Sequence, residues 1–143
     1  MSAPARSILF ACNMNSVRSP MAEALAQFIL GPDVHVESCG VYEGIPDPFV
    51  VRVLAEEGVP PPPRRPQTFA RVNLDRFTDI IALTPEAAAE ARRAGAKVIF
   101  WETPNPTDVR GSDLDILAAY RTCRNGLKAK IRKEFGDVER LSE

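Results

Sequence analysis

Cys12 and Arg18, with five residues between them, are the pair in this 143-residue chain whose types and spacing point most directly to chemistry. A thiolate is a nucleophile, and a guanidinium forks two N–H bonds onto phosphate oxygens while keeping its charge. The segment between them, Asn13-Met14-Asn15-Ser16-Val17, can bend around an anion and aim successive backbone N–H groups at it as a nest. Asn13 and Asn15 tolerate the left-handed backbone that such a bend needs. Ser19 follows at once, placed either to cap a helix or to donate to the sulfur. Taken alone, the pair also fits a buried structural cysteine with a surface arginine nearby. What surrounds it decides.

Upstream, Ser7 to Ala11 is a short apolar run that suits a buried parallel strand. Downstream, Ser19-Pro20 reads as N-cap and first position of a helix carrying Met21, Leu25, Phe28 and Ile29 to Leu30, where Gly31-Pro32 stops it. That helix would add its unpaired N–H groups and the positive end of its dipole to the loop. Asp33 to Ser38 reads as a second strand. A helix from Asp47-Pro48 follows, with Val50, Val51, Leu54 and Ala55 towards Gly58, and no chemistry is assigned to that aspartate. Pro60 to Pro63, with Pro66, suits a stiff crossover. Thr78 to Thr84, Pro85 to Ala94 and Lys97 to Trp101 read as strand, helix and strand. A polar loop, Glu102 to Gly111, precedes a long helix from about Asp113 to Phe135, with Leu114, Leu117, Ala118, Tyr120, Leu127 and Ile131 on one side. Alternation of this kind predicts one α/β domain over residues 1–143, its core about 7–135. The sheet is four-stranded and parallel, in the order 2-1-3-4, with helices on both faces. Ligands of such sheets sit beyond the carboxyl ends of the strands, where the loops after strands one and four lie.

A net charge of −1 gives no global field for nucleic acid or an acidic membrane surface, so any anion site must be local. No apolar run approaches the ~18 residues of a membrane span. Met1 to Arg6 has no apolar core behind it, and the three cysteines, Cys12, Cys39 and Cys123, fit neither a disulfide scaffold nor a zinc site. These features predict a cytoplasmic protein with no metal or nucleotide cofactor. His35 alternates with Val34 and Val36 as an exposed strand position would, with a cysteine–histidine pair as the alternative. Arg64-Arg65 reads as a solvated loop, or as a greeting for an acidic substrate rim.

Ile8-Leu9-Phe10-Ala11-Cys12, Asn15 and Arg18-Ser19-Pro20-Met21-Ala22-Glu23-Ala24 together resemble the opening of low-molecular-weight protein tyrosine phosphatases and the related thioredoxin-linked arsenate reductases. Ser38-Cys39-Gly40, Pro46-Asp47-Pro48, Thr78-Asp79-Ile80-Ile81 and Trp101 with its proline-rich loop extend the resemblance over roughly residues 7 to 135. It implies a cysteinyl-phosphate mechanism. Cys12 attacks phosphorus, Arg18 and the amides of residues 13–17 hold the oxygens, Ser19 stabilises thiolate, an aspartate protonates the leaving phenol, and water then frees the phosphate. The implied substrate is a phosphorylated protein or small phosphate monoester, with inorganic phosphate or sulfate able to occupy the loop.

Three positions depart from the family pattern. Asn105-Pro106 stands where the family has the Asp-Pro pair of its acid, and an amide does not release a proton at neutral pH. Asp108 is the substitute within reach in sequence, or is simply solvated. Met14 stands where glycine is usual, which would be strained if that position needs positive φ. Val17 replaces a second cysteine. Tyr42 either walls an aryl group or packs. Three functions therefore follow: a phosphatase slowed by Asn105, an oxyanion-binding module without turnover, or an arsenate reductase using an external thiol. No cysteine falls between Pro85 and Ala96, where the related reductases place their resolving thiols; Cys39 and Cys123 read as small buried hydrophobes.

Overall fold

A computed structural model describes residues 6–136. The readings placed on Met1 to Ala5, and the two ends of the 1–143 domain, lie outside those residues. Four parallel strands, β1 (Ser7–Cys12), β2 (His35–Gly40), β3 (Asp79–Ala82) and β4 (Ile99–Phe100), form one sheet in the order β2-β1-β3-β4. Four α-helices connect and follow them: α1 (Arg18–Leu30), α2 (Pro48–Ala55), α3 (Pro85–Arg93) and α4 (Asp113–Phe135). No described helix is long and apolar enough to cross a membrane.

Period-two alternation along β1 divides the core. Ile8, Phe10 and Cys12 face a layer built by α1, α2 and α4, whereas Leu9 and Ala11 face Ala87, Ala88 and Ala91 of α3. Helices thus cover both faces, as the sequence predicts. Cys39 shares the α3 face with Ala11, its partner in the β1–β2 register, so Cys39 and Cys12 stand on opposite sides of the sheet.

Local chemistry explains where expectation and structure differ. Helix α1 begins at Arg18, two residues before Pro20, with Val17 at the N-cap and no side chain capping it; Ser19 lies inside the first turn. Asp47 caps α2 as expected, accepting from Phe49 N–H at 2.8 Å, and Thr84 caps α3. Val53 replaces Val51 on the buried face of α2, and Phe28, Val51, Leu114 and Ala118 are exposed. In α4 the inward face is Leu117, Tyr120, Arg124, Leu127 and Ile131. Arg124 sits inside because its Nη1 donates to the Val53 carbonyl and to Glu56. β4 keeps only two residues of the predicted Lys97–Trp101 run, and both are exposed, as befits an edge strand.

Candidate active site

The loop from Cys12 to Arg18 leaves β1 and enters α1, as its sequence suggests. It is held first by backbone. Beyond the last rung of the β1–β2 ladder the pairing continues: Val41 N–H donates to the Cys12 carbonyl (3.1 Å), Tyr42 N–H to that of Asn13 (2.7 Å) and Gly44 N–H to that of Met14 (2.8 Å). Such an approach requires glycine. A Cβ on Gly40 would stand 2.7 Å from Asn15 N and 2.8 Å from Asn13 O; on Gly44 it would meet Ser16 Oγ at 2.2 Å. Asn15 is the one described non-glycine residue with positive φ (53°), so Met14 carries none of the strain expected of it.

Side chains then lock the loop from three directions. Asn13 donates through Nδ2 to Glu86 (3.1 Å) and accepts from the Thr84 hydroxyl (2.7 Å), tying the loop to the start of α3. Asn15, buried, donates to Ser19 Oγ (2.8 Å) and Ser38 Oγ (2.9 Å), and its Oδ1 accepts from Gln67 N–H (2.8 Å). Ser38 Oγ in turn donates to Glu23 Oε1 (2.6 Å), and Glu23 Oε2 accepts from Arg64 Nε (2.9 Å). Glu23 is 2% exposed, and burial pushes its carboxyl above the ordinary range despite the Ser38 and Arg64 bonds that favour its charge. The polyproline crossover therefore ends in an ion pair between the partly exposed Arg64 and the buried Glu23. Arg64 and Arg65 are both exposed, as a solvated loop predicts, and Arg64 also reaches inward to join this network.

Cys12 lies where these supports converge. Cys12 Sγ is 2.9 Å from Ser19 Oγ. That distance resolves the role of Ser19: its hydroxyl meets the sulfur, and also the Cys39 carbonyl at 3.2 Å, rather than capping α1. With no side chain at its N-cap, α1 keeps first-turn N–H groups for an anion. Arg18 is anchored through Nη1 to the Thr103 carbonyl (2.9 Å), which links the loop after β4 to the cradle.

Cys12, Met14, Ser16, Val17 and Arg18 line a cleft of about 670 Å³, and Asn105 lies across it. Asn105 accepts from Thr107 N–H (3.0 Å) and the Thr107 hydroxyl (2.8 Å), capping a 3-10 turn over Pro106–Asp108. The structure does not bring two expected residues here. Asp108 is exposed on that turn, and Tyr42 is 54% exposed; neither lines the cleft. The aromatic wall is instead Phe49 and Tyr120, 5.4 Å apart, and Tyr120 OH donates to Asp47 Oδ2 at 2.6 Å. Burial and then Asp47 push the Tyr120 hydroxyl well above its ordinary range. Asp47, read as a helix cap alone, thus also faces the cleft, as does Glu43.

Sequence reasoning missed Glu23, Gln67, Tyr120 and Glu43. Glu23 did leave a signal, since it follows Ser19 by four residues and so shares its side of the helix. His35 is exposed and bonded to Glu37 at 2.6 Å; it pairs with Ser7, at the far end of β1 from Cys12, so a cysteine–histidine pair does not form. Cys39 is fully buried and burial raises its thiol strongly; Cys123, on α4, is pushed up to about 11 by burial. No group of described residues has the makings of a metal site.

Residues 7–138 match the family model described as low molecular weight phosphotyrosine protein phosphatase. An arsenate reductase of Halalkalibacterium halodurans is 26% identical, the match covering 87% of this chain and 91% of that protein. Among solved structures, the arsenate reductase from Archaeoglobus fulgidus superposes with a TM-score of 0.71 at 28% identity, covering 91% of this chain and 99% of the other. The YwlE arginine phosphatase from Geobacillus stearothermophilus gives 0.76 at 24% identity over 96% and 93%.

Proposed function

The chain belongs to the low molecular weight phosphotyrosine protein phosphatase family, and from that premise we propose that it hydrolyses phosphate monoesters, phosphotyrosine among them, through a cysteinyl-phosphate intermediate. One observation carries this reading: Cys12 Sγ lies 2.9 Å from the Ser19 hydroxyl, at the mouth of a helix without a side-chain cap, with Arg18 in the same cleft.

In the first step the Cys12 thiolate attacks phosphorus, an S–P bond forms and the ester P–O bond breaks towards the leaving alcohol. Arg18 and the amides of Asn13 to Arg18 take the three remaining oxygens. The Ser19 hydroxyl donates to the sulfur, stabilising it as thiolate before attack and as leaving group after. In the second step water attacks phosphorus and gives up a proton to Asp108 or solvent, the S–P bond breaks to return the Cys12 thiolate, and phosphate leaves. The departing oxygen needs a proton, and Asn105 has none to give. Either Asp108 supplies it after the exposed turn swings inward, or water does, in which case good leaving groups are strongly favoured.

Release of p-nitrophenol from p-nitrophenyl phosphate across pH tests the reading. Turnover should fall to background in Cys12→Ser. With phenyl phosphate, whose poorer leaving group needs the proton, a collapse in Asp108→Asn would make Asp108 the acid, whereas an unchanged rate would leave water in that role. Phosphate binding without Cys12-dependent turnover, even of p-nitrophenyl phosphate, would replace the phosphatase with an oxyanion-binding module.

Arsenate reduction is a second reading, favoured by the reductases among the similar proteins. Cys39 faces the other side of the sheet, and Cys123, which packs on the same side as Cys12, has its thiol pushed up to about 11 by burial, so the electrons would come from an external thiol. A preparation that makes no arsenite from arsenate with added thiol removes this reading.

A further inference from the structure

The cleft is lined by charges of both signs. Arg18 is the one cation among the lining residues, and Glu43 and Asp47 are the anions. Asp47 is fixed, with one oxygen accepting from Phe49 N–H at 2.8 Å and the other from Tyr120 OH at 2.6 Å. Glu43 is exposed, and no described residue gives it a hydrogen bond or an ion pair. Ile45, Phe49, Ile116 and Val109 line the same cleft. Apolar walls of this kind focus a field and weaken its screening.

A phosphate monoester brings close to two negative charges of its own. Arg18 and the helix end meet those at the phosphorus. Anything attached to the ester oxygen extends past Glu43 and Asp47, where a neutral group gains nothing and an anion is repelled. At Asn105 no carboxylate or cation offsets them.

We propose that the wall formed by Glu43 and Asp47 selects phosphorylated protein segments that carry a lysine or arginine beside the phosphorylated residue. This rests on the cradle being a phosphate site, as in the phosphatase reading. Glu43 is the specificity residue of the pair, because its carboxylate is not committed to holding an element in place. Asp47 adds fixed charge behind it.

The test is binding of one phosphotyrosine peptide in three versions, flanked by lysines, serines or glutamates, to the Cys12→Ser protein, which reads preference without turnover. The lysine version should bind about fivefold more tightly than the glutamate version, the scale of a partly exposed ion pair. That ratio should shrink at high salt. It should fall towards one in Cys12→Ser/Glu43→Gln and invert in Cys12→Ser/Glu43→Lys. Because the ratio is taken within each protein, a change in overall affinity cancels. Equal binding of the three peptides, or a ratio unmoved by both Glu43 changes, overturns the proposal. Charge-dependent binding without Cys12-dependent hydrolysis in the unsubstituted protein would sink the phosphatase reading and leave this one standing.

Discussion

The cradle and the wall opposite it are built in different ways. Asn13, Asn15 and Ser19 each make at least two side-chain bonds, to partners on β2, α3 and the crossover, and most are buried. Elsewhere around the cleft, Ile45 is 79% exposed and Val109 39%, Glu43 has no partner among the described residues, and Asp108, outside the lining, stands in solvent. On the phosphatase reading, the part that meets phosphate is over-determined by the fold, whereas Glu43, exposed and without a partner among the described residues, is not. Substitutions there can therefore change what is bound while leaving Cys12 in place, whereas those at the cradle's supports reach Cys12 from a distance.

Five substitutions test that contrast. The largest effect is expected at Arg64, which is not among the residues lining the cleft. Arg64→Ala strands the buried Glu23 carboxylate, at a cost of about 3 kcal/mol at neutral pH in chemical denaturation. The pH dependence follows from the direction of the Glu23 shift. Its folded carboxyl lies above the ordinary 4.5, so within that window the folded chain holds a proton that the unfolded chain has lost. Stability on this account falls as pH climbs through the window, and the Arg64→Ala loss should shrink as pH drops below it. A loss independent of pH would mean that Glu23 does not feel the removed charge.

Next comes Gly40→Ala. Its new Cβ would meet backbone atoms of Asn15, Asn13 and Tyr42 at 2.7–2.9 Å, and a shift of the cradle on that scale should lower kcat about 10²-fold for good and poor leaving groups alike. Asn105→Asp should do the opposite and selectively. An aspartate can accept the same Thr107 bonds, and a restored acid should raise turnover of poor leaving groups by about 10²-fold or more, with little change for p-nitrophenyl phosphate.

A smaller effect is expected at the clamp between α2 and α4. Bonds from Arg121 and then Arg124 hold the Glu56 carboxyl at about 2. Here the folded value lies below the unfolded one, so the contribution is complete above about 4.5 and is lost as pH falls towards 2. Glu56→Gln should flatten that part of the acid melting profile. Smallest of all, Tyr42→Ala should leave p-nitrophenyl phosphate turnover within about twofold, since its side chain stands outside the cleft. A large loss would mean that the wall is more tightly organised than its exposure suggests.

How much of this was legible follows from the range of each interaction. The strands, the sheet order and the Cys12-to-Arg18 loop rest on local pattern and on topology, and the sequence carries both. Ser19 was ambiguous because a serine before proline is a good N-cap; only the packing of Val17 into the core moves the helix start two residues earlier and frees the hydroxyl for the sulfur. Arg64 looked solvated because nothing nearby in sequence pairs with it. Its partner is 41 residues away, on a helix face read for its apolar residues. Tyr42 drew attention by proximity to the loop, while Tyr120, 73 residues beyond Asp47 in the chain, forms the wall. Long-range polar contacts leave little trace in a single sequence.

The three bonds from Val41, Tyr42 and Gly44 to the carbonyls of Cys12, Asn13 and Met14 have a consequence for polarity. No described peptide is cis, and in a trans peptide the N–H points opposite to the C=O of the same plane. Committing those three carbonyls to the neighbouring segment turns the N–H groups of Asn13, Met14 and Asn15 away from it, with their dipoles already aligned before any anion arrives. The ladder that joins β1 to β2 therefore also orients the solvating groups of the cradle. Little reorganisation is left to accompany charge binding, because folding has already carried it out.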